Sequence, residues 1–211
     1  MGIAKKGILG PVSGKVGPSI WYFDGYRNVL RGLGEGRKAQ ATAAEIKNRQ
    51  KMKTLMELFS TIKPYLKAGF SVEAKGLGLN YHNVATSCNR YRLSGLLAGL
   101  QELDYENLQL SKGTATVAEA PAVNVEANGL RFSWMWHTDD FDDAEDQVMM
   151  MAYLPDHNTS LYETAGAKRN QYEDFLLLPQ AYLLERIEVY ISFSSKDRSR
   201  VSDSIYLGRI N

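Results

Sequence analysis

The chain has 211 residues, 44% of them hydrophobic and 23% charged, a composition typical of a globular protein and not of a disordered one. The longest apolar run, residues 148–154, is far shorter than the roughly 20 residues of a membrane span, so no membrane partner is expected, and a single cysteine excludes an intrachain disulfide. Charge is uneven, because residues 1–75 hold 14 Lys/Arg against 5 Asp/Glu (+9) and residues 76–211 hold 11 against 19 (−8).

The first 37 residues contain nine glycines and two prolines, and too few apolar side chains to build a core of their own. Lys5 and Lys6 precede a glycine-interrupted stretch rather than the continuous apolar segment of about 7–15 residues that a signal peptide requires. The sequence therefore predicts cytoplasmic synthesis without a signal peptide, and a basic, glycine-rich N-terminal arm.

A β-hairpin is the clearest signal within this arm. Residues 20–23 and 26–31 are separated by Asp24-Gly25, a pair typical of a two-residue type I′ turn. Because an isolated hairpin is only marginally stable in water, we expect it to dock on the body of its own chain or on another subunit.

One long amphipathic helix is predicted over residues 39–67. Thr42 and Glu45 have the spacing of a capping box, and Pro64 should kink or end the helix. The apolar residues gather on one face: Ile46, Met52, Leu55, Met56, Phe59, Ile62 and Leu66. We interpret this face as core, and the basic residues between these positions as a solvated surface.

The pattern of residues 68–126 is less regular. Residues 80–85 and 90–93 fit short helices or loops, residues 108–113 alternate like a strand, and residues 119–122 are typical of a linker. The rest of the chain has short strand-like segments separated by turn residues: 130–134, 148–153, 175–178, 187–193 and 204–207. This spacing predicts an antiparallel β-sandwich.

The predicted fold class is α+β and mainly β. We expect a basic arm with hairpin and helix at residues 1–75, a connecting region at 76–126, and a sandwich at 127–211. In the sandwich, a Trp in an early strand, then Leu178-Pro179, a Tyr-bearing strand and a closing Ser-x-Ser strand resemble fibronectin type III and other immunoglobulin-like modules.

The sequence shows no catalytic constellation. His82, His137 and His157 are far apart, none has Cys or Glu at metal-ligand spacing, and no Gly-x-Ser-x-Gly is present. The Gly-x-Gly-x-Gly run at residues 32–36 lacks the Lys-Ser/Thr ending of a phosphate-binding loop. We expect no enzyme activity, no cofactor and no metal ligands, and we interpret Cys88 as a small buried residue.

An acidic run at residues 139–146 holds six carboxylates in eight residues. It could bind calcium, since hard cations prefer oxygen ligands, although the glycine of an EF-hand is missing. The preferred interpretation is an exposed loop between strands, held open by repulsion between its like charges.

Short motifs over nearly the whole chain resemble an uncharacterised family of proteins of about 200 residues from Bacteroidota. They are Gly7-Ile8-Leu9-Gly10, Ser13-Gly14-Lys15-Val16-Gly17, Arg31-Gly32, residues 62–70, Leu110-Ser111-Lys112-Gly113, Phe132-Ser133-Trp134 and residues 201–208. The resemblance implies no activity and no site residues.

We expect a non-enzymatic structural protein, a subunit of an assembly such as a phage-like particle, with copies of itself or other subunits as partners. The arm without a core and the opposite charges of the two ends motivate this hypothesis. The candidate interface consists of Trp21, Tyr22, Phe23, Tyr26, Arg27 and Arg31. Two alternatives remain: a nucleic-acid-binding module that uses the basic N-terminal half, and an adhesion or glycan-binding module suggested by fold analogy alone.

Overall fold

The computed structural model describes residues 13–23, 28–34, 40–91, 103–137 and 141–211. These residues contain three helices and ten strands in three antiparallel sheets, which confirms the α+β, mainly β fold class. The chain divides into two compact units, residues 1–45 and 46–211. This division differs from the predicted regions, because most of the helical segment belongs to the same unit as the C-terminal strands.

A three-stranded sheet, the N-terminal sheet, makes up the described strands of the first unit. Its strands are β1 (Gly14–Val16), β2 (Ser19–Phe23) and β3 (Asn28–Gly32), in the order β1-β2-β3. The pairing of β2 with β3 confirms the predicted hairpin.

The register of this hairpin differs from the prediction. Phe23 lies opposite Asn28, two residues later than a turn at Asp24-Gly25 would allow. The observed register places Trp21 opposite Leu30, and such aromatic–aliphatic pairs across strands are stabilising. The turn itself lies outside the described residues.

The segment predicted as one helix forms two, α1 (Ala43–Thr61) and α2 (Lys63–Leu77). They are separated at Ile62, because Pro64 has no amide hydrogen to continue the first helix but is well tolerated in the first turn of the second. Of the predicted apolar face, Ile46 is exposed, and complete burial begins at Leu55.

The predicted capping box is present at the start of α1, although the helix begins at Ala43 and not at residue 39. The Thr42 amide donates to Glu45 Oε2 over 2.9 Å, and the Glu45 amide donates to Thr42 Oγ1 over 3.4 Å, which completes the capping box. At the other end of the helical segment, Gly78 has a φ of 65° and terminates α2 in the left-handed conformation.

A third helix, α3 (Tyr81–Asn89), follows at residues for which the sequence left helix and loop open. Asn80 precedes it, and its side chain accepts a hydrogen bond from the His82 amide over 2.9 Å. Residues 108–113 do not form a strand, and the linker prediction for residues 119–122 is wrong, because they begin a strand.

Seven strands complete the second unit: β4 (Glu119–Glu126), β5 (Gly129–Met135), β6 (Gln147–Leu154), β7 (Thr159–Glu163), β8 (Glu173–Leu177), β9 (Ile187–Ser194) and β10 (Ile205–Ile210). One sheet has the order β4-β5-β8, and the other has the order β10-β9-β6-β7. All five strand-like segments predicted in this part of the sequence are present, whereas β4 and β7 were not predicted.

The second unit has three layers, with the four-stranded sheet in the middle. The even-numbered residues of β6 from Val148 to Leu154 pack against the three-stranded sheet, and Met149, Met151 and Tyr153 pack against the helices. Both faces of β6 are therefore covered, which explains its uninterrupted apolar sequence. No helix among the described residues is long and apolar enough to cross a bilayer.

Candidate interaction surfaces

The pairing of β2 with its neighbours decides which side chains share a face of the N-terminal sheet. Directly opposite residues point to the same side, and residues two apart on a strand also share a side. Trp21, Phe23 and Leu30 therefore share one face with Val16 of β1. We call this the apolar face, although the polar Ser19 and Asn28 also lie on it. The other is the basic face, formed by Lys15, Ile20, Tyr22, Val29 and Arg31.

The six predicted interface residues are thus divided between the two faces. Trp21 and Phe23 lie on the apolar face, Tyr22 and Arg31 lie on the basic face, and Tyr26 and Arg27 fall outside the described residues.

None of the described residues of the N-terminal sheet is buried. Val16 is 64% exposed, Leu30 is 55% exposed, and Trp21 and Phe23 are only half-buried. A contiguous apolar face of this kind is typical of a contact surface, because single apolar residues on a surface are ordinary but clusters are not.

Arg169 is the largest fully buried side chain in the described part of the chain. Its guanidinium donates hydrogen bonds to the carbonyls of Thr116, over 2.6 Å, and Val117, over 3.2 Å. The same group lies over the ring of Phe193, 3.8 Å from the ring centroid. This cation joins the turn before β8, in which it lies, to the loop before β4 and to β9.

Two carboxylates of the acidic run provide the counter-charge. Asp143 and Asp146 are 6% and 3% exposed, and their Oδ2 atoms lie 3.5 Å and 3.9 Å from Arg169 nitrogens. Trp136 Nε1 also donates to Asp143 Oδ1 over 3.0 Å. The interpretation of residues 139–146 as an exposed, self-repelling loop is therefore wrong for these two residues. Burial raises the pKa of Asp146, and the charge of Arg169 opposes that rise.

Glu145, which is exposed, has cations of its own. Lys196 and Lys168 both bond to its carboxylate, with Lys168 Nζ at 3.0 Å, and these bonds lower the pKa of Glu145 to about 2. Among the described residues, no group of three or more His, Cys, Asp or Glu is placed to hold a metal ion. Asp139 and Asp140 lie outside the described residues, so calcium binding by the whole run stays an untested alternative.

A second buried charge lies on the side of β9 that faces the helices. Glu188 is fully buried and accepts hydrogen bonds from Arg186 Nε over 3.1 Å, from Arg209 Nε over 2.8 Å and from the Tyr206 hydroxyl. Burial, together with the bond to Glu188, raises the pKa of Tyr206. Because the carboxylate has three donors, this cluster anchors β10 to β9 rather than exposing a reactive group.

The residues considered for catalysis have ordinary neighbours. His137 Nε2 lies 3.3 Å from a Glu119 carboxylate oxygen, His157 approaches a different glutamate, and His82 packs edge-on against a phenylalanine ring. Cys88 is half-buried against the core beneath the helices. None of these contacts forms an activated nucleophile within the part of the chain that the structure describes.

A groove of about 830 Å³ runs between β7 and β8. Both strands lie at the edges of their sheets, and Leu161 and Leu176 in the lining also belong to the core between the sheets. Two of the lining residues are bonded to each other, because the Ala167 amide donates to Asp174 Oδ2 over 2.7 Å. The described lining residues include two acids, Glu163 and Asp174, and no Lys or Arg.

Residues 10–208 match the family of unknown function DUF6266. The chain belongs to this family. The match spans both compact units, so the N-terminal sheet is part of what defines DUF6266, and the predicted membership of an uncharacterised family is confirmed. No curated protein and no solved structure matched the chain.

Sequence reasoning missed three features of this DUF6266 chain: the buried Arg169, the buried Glu188 and the groove. A signal existed for Glu188, because in β9 it alternates with apolar residues on a polar side that also carries Tyr190 and Ser192. Antiparallel sheets often leave such a polar side in solvent, whereas in this chain the helices cover it. Arg169 lies in a short turn that no periodic pattern marks.

Proposed function

We propose that this DUF6266 chain is a non-enzymatic structural subunit whose N-terminal sheet docks on a neighbouring subunit in a larger assembly, such as a phage-like particle. The observation that carries the proposal is that none of the described residues of this sheet is buried, although it bears Val16, Trp21, Phe23 and Leu30 on one face. Covering that face removes apolar area from water, which stabilises by about 25 cal/mol per Å².

The chemistry of the apolar face suits an interface. Aromatic residues such as Trp21 and Phe23 dominate the energetics of many interfaces, because they bury a large area at low entropic cost. The uneven charge of the chain, +9 over residues 1–75 and −8 over residues 76–211, favours contacts between the basic part of one copy and the acidic part of another. Such contacts join different surfaces and build rings or open polymers.

The second part of the proposal is that residues 119–210 form an immunoglobulin-like sandwich. Counted from β4, the first, second and fifth strands share one sheet, and the third, fourth, sixth and seventh share the other. This distribution supports a relation to immunoglobulin-like modules, in which strands A, B and E lie in one sheet and strands C, F and G in the other. In an assembly subunit, such a module would supply the rigid body.

Light scattering on the full chain tests docking. We expect the weight-average mass to exceed that of a monomer and to rise with concentration at low salt. A Trp21→Ser, Leu30→Ser double variant should be monomeric, whereas the matched control Tyr22→Ser, which alters the basic face, should keep the mass of the full chain. A full chain that stays monomeric at high concentration and low salt would overturn the proposal.

Nucleic-acid binding is a second candidate, motivated by the exposed side of α1. Lys47, Arg49 and Lys53 are exposed there, and Lys63 and Lys67 are exposed on α2. If these residues contact phosphates, the affinity for a labelled single-stranded oligonucleotide should fall steeply with salt, and Lys47→Gln with Arg49→Gln should reduce that slope by about two. Absence of binding at low salt would remove this candidate without affecting the assembly proposal.

A further inference from the structure

The charges of the second unit are separated between its layers. Residues 46–77, in the two long helices, hold seven Lys/Arg against two Asp/Glu, and α3 holds none of these residues. The strands and their connections, residues 119–210, hold eight Lys/Arg against sixteen Asp/Glu. Because the helices lie on one side of the four-stranded sheet, the helical layer is basic and the sheet layers are acidic.

Three lysines form a line on the solvent side of α2. Lys63, Lys67 and Lys75 are four and eight residues apart, and all three are exposed. Helical residues spaced by multiples of four stay on one side of a short helix. At a rise of about 1.5 Å per residue, the three lysines extend over about 18 Å of the helix axis. We call them the lysine stripe.

The lysine stripe has no counter-charge of its own. The two acids of residues 46–77 are engaged elsewhere, since Glu57 lies 3.8 Å from the Lys53 amine and Glu73 lies 3.0 Å from the Lys112 amine. Within the part of the chain that the structure describes, no ion pair includes a lysine of the stripe. The stripe therefore presents uncompensated positive charge to solvent.

The neighbours of the stripe indicate what kind of partner fits it. Between residues 63 and 75 the exposed residues of α2 are Lys63, Pro64, Lys67, Ser71 and Lys75, and none carries a large apolar or acidic side chain. A protein partner needs buried aromatic or aliphatic anchors, and interfaces are depleted in Lys. A helix on a lipid surface needs an exposed apolar face. Nucleic-acid phosphates, in contrast, bind Lys without any apolar contact.

We propose that the lysine stripe binds the phosphate backbone of nucleic acid without reading its sequence, and that the helical layer is the side of the assembled subunit that faces this nucleic acid. The inference rests on the proposed function and names a partner that a particle of such subunits would enclose. The acidic sheet layers then face away from the phosphates, which avoids repulsion between like charges.

The stripe favours a duplex at least as much as a single strand. A duplex carries one charge per about 1.7 Å of its axis, so a stripe of about 18 Å spans several phosphates. Single strands gain affinity from bases that stack on aromatic rings, but Tyr65 and Phe70, the aromatic residues of α2, are fully buried. The stripe therefore offers charge and no stacking surface.

The salt dependence of binding tests the stripe. Fluorescence anisotropy of a labelled DNA duplex gives the affinity of the full chain over a series of salt concentrations. Lys63→Gln with Lys67→Gln should weaken binding and reduce the slope of log affinity against log salt by about two, because two phosphate contacts are lost. Lys63→Arg with Lys67→Arg keeps both charges and should keep the slope.

The matched control removes two lysines outside the helical layer. Lys168→Gln with Lys196→Gln makes the same change in net charge, but these lysines bond to Glu145. The control should therefore keep the slope of the unmodified chain. Equal slopes for the stripe variant and the unmodified chain, or an equal reduction in the control, would show that the stripe is not the phosphate contact.

A single strand of the same length tests the absence of stacking. Tyr91, which follows α3, is 80% exposed and is the competing site, with the Arg90 guanidinium 4.4 Å from its ring centroid. We expect the duplex to bind at least as tightly as the single strand, and Tyr91→Ser to leave both affinities unchanged. A much tighter single strand whose advantage disappears in Tyr91→Ser would move the site to Tyr91 and overturn the inference.

The outcomes also separate this inference from the assembly proposal. The Trp21→Ser, Leu30→Ser variant alters only the N-terminal sheet, so it should keep the salt slope of the unmodified chain although it is monomeric. If the full chain assembles in light scattering but does not bind the duplex at low salt, the inference falls and the assembly proposal stands. If the full chain binds the duplex through the stripe but stays monomeric, the phosphate contact stands and the assembly proposal falls.

Discussion

The N-terminal sheet and the two packed sheets of the second unit contain similar apolar strands, but only the packed sheets bury them. In β2 the sequence Ser-Ile-Trp-Tyr-Phe has no buried residue, whereas every residue of β9 is buried, including Glu188. The difference is the number of layers, because β9 has a second sheet on one side and helices on the other. Apolar strands therefore form a core only where a second layer covers them.

The largest expected effect comes from removing the same side chain in the two regions. Phe193 is fully buried beneath Trp134 and the guanidinium of Arg169, so Phe193→Ala should cost about 3–5 kcal/mol in the free energy of unfolding. Phe23→Ala, in the N-terminal sheet, should cost about 1 kcal/mol or less. Urea unfolding of both variants at low protein concentration measures the contrast, and equal losses would show that the N-terminal sheet has a covered face.

The two arginines provide a second contrast. Arg169→Met leaves Asp143 and Asp146 buried without their cation, which should cost about 3 kcal/mol, whereas Arg31→Met should change stability by about 0.5 kcal/mol or less. If the penalty comes from uncompensated charge, adding Asp143→Asn and Asp146→Asn to Arg169→Met should recover part of it. A triple variant less stable than Arg169→Met would assign the loss to packing against Phe193 instead.

Local signals predicted much of the fold. The capping box of Thr42 and Glu45, the hairpin of β2 with β3, and the alternation in residues 187–193 each depend on residues close in sequence, and all three are present. The break at Ile62 was also visible in part, because Pro64 marks it, although the sequence left open whether Pro64 bends or ends the helix.

The features that the sequence did not predict depend on distant residues. The acidic run was interpreted as exposed, because its own charges repel, but Arg169, which lies 23 residues after Asp146 in the sequence, provides a counter-charge for the buried Asp143 and Asp146 in the fold. The register of the N-terminal hairpin was missed for a different, local reason: it has Trp21 opposite Leu30, and not the register that a turn at Asp24-Gly25 would give.

A smaller effect is expected where the helical layer begins. Thr42→Ala removes the side-chain oxygen that accepts from the Glu45 amide, and should cost about 1 kcal/mol. Thr54→Ala is the matched control within α1, where the hydroxyl bonds only to the preceding turn at Gln50, and alanine is a better helix former. The midpoint temperature of thermal unfolding should therefore fall for Thr42→Ala and should stay the same or rise for Thr54→Ala.

The smallest effect on stability and the clearest on titration are expected at Glu145. Its pKa is lowered to about 2, most by the bond from Lys196 and next by the bond from Lys168. The contribution of these bonds to folding stability is therefore complete above the ordinary pKa of glutamate, 4.5, and is lost as the pH falls toward 2. Lys196→Met should raise the midpoint of Glu145, measured by NMR of its side-chain carboxyl carbon, more than Lys168→Met does. Because the pair is exposed to solvent, neither variant should change the urea midpoint measurably at neutral pH. A large loss from Lys196→Met would instead show that the acidic run needs its outer cations as much as it needs the buried Arg169.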